Sequence, residues 1–163
     1  MDRRRILVQG TGTETYFLGM NAAVGGLSRW PKRKGLELSA AFPVYVVDDD
    51  PNFREWISLL CDDSGLPCRT FHDGEEFLAA LDELEPGCIL LDMRMPRQNG
   101  LQVQAELGRR GNRFPVIAVT GYGDVEIAVR SMKLGAIEFL EKPFSVDVAL
   151  EAIKQAFATL RRR

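Results

Sequence analysis

The run Cys88-Ile89-Leu90-Leu91-Asp92-Met93-Arg94-Met95-Pro96 constrains the fold more than any other stretch of the chain. Ile89, Leu90 and Leu91 follow one another without polar alternation, as in a short strand buried on both faces of a parallel sheet. The run stops at a carboxylate, and Pro96 prevents its immediate continuation. Asp92 is therefore expected at the carboxyl end of a central strand, facing the crevice where open α/β sheets bind ligands. A solvated acid that merely ends a strand would read the same way locally. The rest of the chain decides between the two.

From Phe42 onward, strand and helix signals alternate five times. Pro43 to Val47 is an apolar, β-branched run ending in Asp48-Asp49-Asp50, and Asp50-Pro51 reads as an N-cap followed by a first-turn proline. Phe53, Trp56, Ile57 and Leu60 then mark one face of a helix. Cys68 to Phe71 is a second strand. Asp73 and Glu76 have capping-box spacing ahead of a helix carrying Phe77, Leu78, Leu81 and Leu84. After the opening stretch, Asn99 and Gln102 cap a third helix of weak period. Pro115 to Val119 leads to Thr120, and Val125, Ala128, Val129 and Met132 form a fourth helical face stopped by Gly135. Ile137 to Leu140 precedes Glu141-Lys142-Pro143. Ser145 caps a last helix with Val146, Leu150, Ile153, Phe157 and Leu160 on one face.

Such alternation predicts an α/β fold, a doubly wound parallel sheet with helices on both faces. All strand carboxyl ends then share one rim, which gathers Asp48, Asp49, Asp92, Thr120 and Lys142. Crowded carboxylates repel, and a hard divalent cation relieves them. An aspartate can attack phosphorus to give an acyl phosphate. Mg²⁺ and an ammonium neutralise the transferred group, and a hydroxyl donates to it. The rim thus holds the parts needed to make and read an aspartyl phosphate.

Charge divides the chain. Residues 1–41 carry seven Lys/Arg against three Asp/Glu, whereas residues 42–163 carry fourteen against twenty. The first segment has scattered glycines, no sustained period and the cluster Arg29-Trp30-Pro31-Lys32-Arg33-Lys34. It is read as a basic, mobile N-terminal extension, 1–41, ahead of a folded domain, 42–163. A start codon assigned too early (Met20 is an internal candidate) would explain the same segment. No apolar run reaches the roughly 18 residues of a membrane span. Cys61, Cys68 and Cys88 lack metal-ligand spacing and read as buried thiols in a reducing compartment, so a cytoplasmic location is expected. His72 follows the second strand, away from the acidic rim, and reads as a loop residue.

The motifs Val44-Tyr45-Val46-Val47-Asp48-Asp49-Asp50, Leu90-Leu91-Asp92-Met93-Arg94-Met95-Pro96, Val119-Thr120-Gly121 and Glu141-Lys142-Pro143-Phe144 resemble those of two-component response-regulator receiver domains. The likeness covers about residues 42–160. It implies a flavodoxin-like (βα)5 fold with five parallel strands in the order 2-1-3-4-5. It further implies Asp92 as phosphoacceptor. Asp48, Asp49, Asp92 and the backbone carbonyl of Arg94 would be the Mg²⁺ contacts. Thr120 and Phe139 would be the switch pair, Lys142 the phosphate-contacting ammonium, and Lys142-Pro143 a cis peptide. Arg94 and Tyr122 would stand at the mouth of the site. A sensor histidine kinase would donate the phosphoryl group, and the altered surface would engage a downstream protein target or a second copy of the chain. No membrane contact and no nucleic-acid contact are expected for this chain alone.

The wording around Arg94 and Thr120 is nearest to receivers that usually precede a helix-turn-helix transcription domain. Because the sequence stops at Arg163, a stand-alone receiver and a fragment of a DNA-binding regulator are both expectations. The rival class is an aspartate-nucleophile phosphatase resembling the haloacid dehalogenases. Those carry a second acid two residues after the nucleophile, and here that position is Arg94. The chain is accordingly expected to catalyse only its own phosphoryl transfer and dephosphorylation.

Overall fold

The computed structural model describes residues 6–9, 15–18, 42–121 and 123–162. Two strands, β1 (Ile6–Gln9) and β2 (Thr15–Leu18), pair antiparallel, with Ile6 opposite Leu18 and Gln9 opposite Thr15. The lack of a sustained period over residues 1–41 predicts no regular element there, and the two strands depart from that expectation. The cluster Arg29 to Lys34 lies outside the described residues.

The remaining strands are β3 (Val44–Val47), β4 (Cys68–Phe71), β5 (Cys88–Asp92), β6 (Val116–Thr120) and β7 (Glu138–Glu141). They form one parallel sheet in the order β4-β3-β5-β6-β7, which is 2-1-3-4-5 counted within the repeat. Between them run α1 (Pro51–Asp63), α2 (Gly74–Ala80), α3 (Gly100–Arg109) and α4 (Val125–Lys133), and α5 (Val146–Arg161) closes the fold.

Strand side chains alternate between two cores. Val44, Val46, Leu90, Ile117 and Val119 face α1 and α5, where they meet Phe53, Trp56, Ile57, Leu150, Ile153 and Phe157. Tyr45, Val47, Ile89, Leu91 and Ala118 face the other way, toward Phe77, Leu101, Val103 and Leu107. Each large side chain buried this way contributes roughly 1.5–3 kcal/mol, so central strands with apolar residues on both faces hold the two layers together. Cys61 and Cys88 are buried, and all three cysteines are free thiols.

The caps act locally as expected, with two differences. Asp50 accepts from the Asn52 amide, Ser145 from Val148, and Asn99 and Gln102 complete a reciprocal capping box. Asp73 accepts from the Glu76 amide, but Glu76 turns back one residue further, to the His72 amide and ring. The helix expected through Leu84 ends at Ala80 and tightens into a 3₁₀ turn over Leu81–Glu83. Leu84 is already extended, at φ −85° and ψ 135°. Pro86 lies two residues on, and Glu85, directly before it, is held out of the helical region.

Helix α4 departs most from expectation. Val125, Val129 and Met132, three of the four residues whose spacing marks this helix, are exposed, as is Leu134 just beyond its end. Its buried side is instead Ser131, with Ile127 and Ala128 half-buried. The Ser131 hydroxyl donates to Gln104 Oε1 on α3 at 2.7 Å, and Gln104 Nε2 donates back to the Ser131 carbonyl at 3.2 Å. The 3.6-residue period is present, but its apolar stripe points to solvent. Among the described residues, no helix is long and apolar enough to cross a membrane.

Candidate functional site

Parallel register brings the strand ends to one rim. Val47 lies opposite Leu91, Asp92 opposite Val119, and Thr120 opposite Glu141. Asp48 follows β3, donating its amide to the Phe71 carbonyl at 3.2 Å, and the Lys142 amide reaches the Thr120 carbonyl at 2.7 Å. Asp48, Asp49, Asp92, Thr120 and Lys142 therefore share the rim that the sequence predicts. The Lys142-Pro143 peptide is cis.

Asp48, Asp49 and Asp92 bring one carboxylate oxygen each within 4.8 Å of the others. Asp48 is fully buried, Asp92 nearly so, and Asp49 is exposed. Asp48 accepts from the Asp50 amide at 2.8 Å and from Lys142 Nζ at 2.7 Å. Arg54 on α1 donates to the Asp48 carbonyl at 2.7 Å, tying that residue to the helix behind it. Asp92 accepts the Arg94 amide at 3.1 Å. Gly100 allows the turn after β5 to pack closely, since a Cβ there would lie 2.6 Å from the Asp92 carbonyl oxygen.

Burial, then the neighbouring Asp48 charge, pushes the Asp92 carboxyl up to about 8 against the opposing pull of Lys142. Burial raises Asp48 as well, and Lys142 counters it. Two acids that resist ionising together, beside a third that is exposed, form an oxygen-only donor set suited to a hard divalent cation. The Lys142 ammonium also sits 4.1 Å from the centroid of the Phe53 ring, which offers its face to the cation.

Thr120, fully buried, donates its hydroxyl to Asp124 Oδ2 at 2.9 Å. Arg94 grips the same carboxylate with Nε at 2.8 Å and Nη2 at 2.5 Å. That fork, followed by the Thr120 bond, holds the Asp124 carboxyl down to about 2. The sequence alone does not mark Asp124, Arg54 or the Phe53 ring as site residues. Asp124 stands four residues after Thr120, as a helix N-cap would, and nothing in that spacing points to the hydroxyl. Phe139 is half-buried on β7 opposite Ala118, at the edge of the second core. Tyr122 lies outside the described residues.

A doubly wound sheet with an acidic cluster at its carboxyl rim can bind a cation and offer an aspartate to a phosphoryl group. The family model for the response regulator receiver domain matches residues 44–154, and the chain belongs to that family. The transcriptional regulatory protein FixJ of Bradyrhizobium diazoefficiens is 41% identical over 113 residues, covering 69% of this chain and 55% of that protein. The response regulator protein TodT of Pseudomonas putida is 36% identical over 130 residues, covering 78% of this chain and 57% of that protein. The chain thus spans a little over half the length of these relatives. The crystal structure of FixJ-N superposes with a TM-score of 0.69 at 35% identity, covering 72% of this chain and 94% of that one.

Proposed function

We propose that Asp92 is the phosphoacceptor of this receiver and that its phosphorylation changes what the α4 surface binds. The observation that carries the proposal is the Asp48–Asp49–Asp92 cluster with Lys142 and Thr120 beside it on one rim. An Asp92 oxygen attacks the phosphorus of a phosphohistidine on a sensor kinase, the P–N bond breaks, and the imidazole leaves with that electron pair. Asp48, Asp49, Asp92 and the Arg94 carbonyl would hold Mg²⁺, which supplies positive charge opposite the transferred oxygens. Lys142 leaves Asp48 for a phosphoryl oxygen, a short move within the same cluster. Thr120 donates its proton to another. Hydrolysis of the acyl phosphate returns the carboxylate, and the chain turns over no external substrate.

The arrangement supports switching over turnover. Arg94, where a phosphatase resembling the haloacid dehalogenases would place its general acid, commits its guanidinium to Asp124. On the outer face, Val125, Val129, Met132 and Leu134 are exposed beside Arg130, Lys133 and Glu141. An apolar stripe with both signs of charge at its rim suits a downstream protein or a second copy of the chain. Residues 1–41 are proposed as an extension to the receiver, in keeping with a family match that starts at residue 44.

A small phosphodonor with Mg²⁺ should add one phosphoryl group per chain and then stop, with no steady-state hydrolysis of small phosphomonoesters. Asp49→Ala should label at least tenfold more slowly at the same Mg²⁺ concentration, because one metal-binding carboxylate is gone. Sustained turnover, or labelling of the Ala variant at the parent rate, would count against the assignment.

A further inference from the structure

Thr120 has a single hydroxyl proton, so it donates to one acceptor at a time. In this structure that acceptor is Asp124 Oδ2, at 2.9 Å. Asp124 occupies the N-cap of α4, where an aspartate ordinarily accepts from the first free amides of its helix. Here it makes no such bond. Its two oxygens serve the Thr120 hydroxyl and the Arg94 guanidinium instead.

Arg94 touches both ends of the arrangement. Its amide donates to Asp92 and its side chain forks onto Asp124. The loop between Thr120 and α4 is tied from the other side, where the Gly123 amide donates to Glu141 Oε1 at 3.2 Å, next to Lys142. We propose that Asp124 is a positioning residue that holds the Thr120 hydroxyl in the unphosphorylated state, with Arg94 as its clamp, so that a phosphoryl group on Asp92 must compete for that proton. This rests on the reading of Asp92 as acceptor and Thr120 as switch.

The consequence is a set threshold for switching. Thr120 is fully buried, so a hydroxyl that loses Asp124 without finding another acceptor is penalised. The carboxylate therefore stabilises the resting rotamer specifically. Removing it disfavours that rotamer and leaves the proton available to the phosphoryl oxygens.

The test uses the full chain, Mg²⁺ and beryllofluoride as a non-covalent phosphoryl mimic, with affinity measured by calorimetry. Asp124→Ala should bind the mimic about tenfold more tightly than the parent, the scale of one charge-assisted hydrogen bond. Asp124→Asn, which keeps the shape and a neutral acceptor, should fall between the two. In the Thr120→Ala background, removing Asp124 should change the affinity by less than twofold, because the effect passes through the hydroxyl. Without the mimic, the Phe139 ring resonances of Asp124→Ala should move part of the way toward their mimic-bound positions.

Unchanged or weaker binding in both Asp124 variants, with Phe139 unmoved, would overturn the latch. Equal tightening with and without Thr120 would also overturn it. A parent chain that fails to bind the mimic at all would overturn the functional reading beneath it, an outcome distinct from the first two.

Discussion

Without metal at pH 9, Asp92→Asn is expected to be more stable than the parent by on the order of 3 kcal/mol. The Asp92 carboxyl, ordinarily at 3.8, is pushed up to about 8 by burial and by Asp48. Between those values the folded chain keeps a proton that the unfolded chain has released. Stability therefore falls as pH rises through that window, and the loss is complete above about 8. Facing the group are Asp48 and Asp49 after β3, the Arg94 amide and the Lys142 ammonium, and Lys142 offsets only part of the repulsion. An amide at position 92 has no charge to desolvate. For a domain of this size the difference is about 6–12 °C in melting temperature. It should shrink toward pH 4 and when Mg²⁺ is added to the parent. Thermal melts of both proteins from pH 4 to 9 check it, and a gap that grows on acidification would contradict the assigned shift.

Thr120→Ala should accept a phosphoryl group at close to the parent rate yet lose most of what phosphorylation does. Thr120 ends β6 and Phe139 lies on the neighbouring β7, half-buried opposite Ala118. On the proposed route the hydroxyl turns toward Asp92, leaves Asp124 and vacates the space beside the strand, which Phe139 would swing in to fill. The exposed stripe of Val125, Val129, Met132 and Leu134 on and beside α4 is the surface that such a movement would alter. Phosphate shifts the equilibrium only as far as the partner distinguishes the two states. A coupled site of this kind gains roughly 5–150-fold in affinity, and the Ala variant should retain little of that gain. Sedimentation with and without beryllofluoride, in parent and variant, measures it. A full response in the variant would send the signal by another route.

The rim was legible because buried parallel strands leave an unusual record. Val44 to Val47 and Ile89 to Leu91 are apolar on both faces, so each acid that follows them marks a strand end rather than a solvent-facing turn. The caps at Asp50, Asn99 and Ser145 were legible for a similar reason, since each is satisfied within its own first turn.

What escaped depends on partners distant in sequence or absent from it. The period of α4 gives a stripe but not its direction, and Val125, Val129 and Met132 face outward while Ser131 turns in to Gln104. Arg94 and Asp124 meet across 30 residues. The fork exists only because the turns after β5 and β6 end side by side. The pairing of β1 with β2 does have a local trace. Ile6-Leu7-Val8 and Tyr16-Phe17-Leu18 flank Gly10-Thr11-Gly12, a short-range turn signal set in a polar, glycine-rich stretch with no sustained period.

The most direct measurement locates the phosphoryl group itself. After reaction with a small phosphodonor and Mg²⁺, the chain should be cleaved at low pH and the labelled peptide sequenced by mass spectrometry. A single phosphoryl group on Asp92, absent without Mg²⁺ and absent from Asp92→Asn, is the result expected. A label on Asp48 or Asp49, or equal labelling of the Asn variant, would contradict Asp92 as the acceptor.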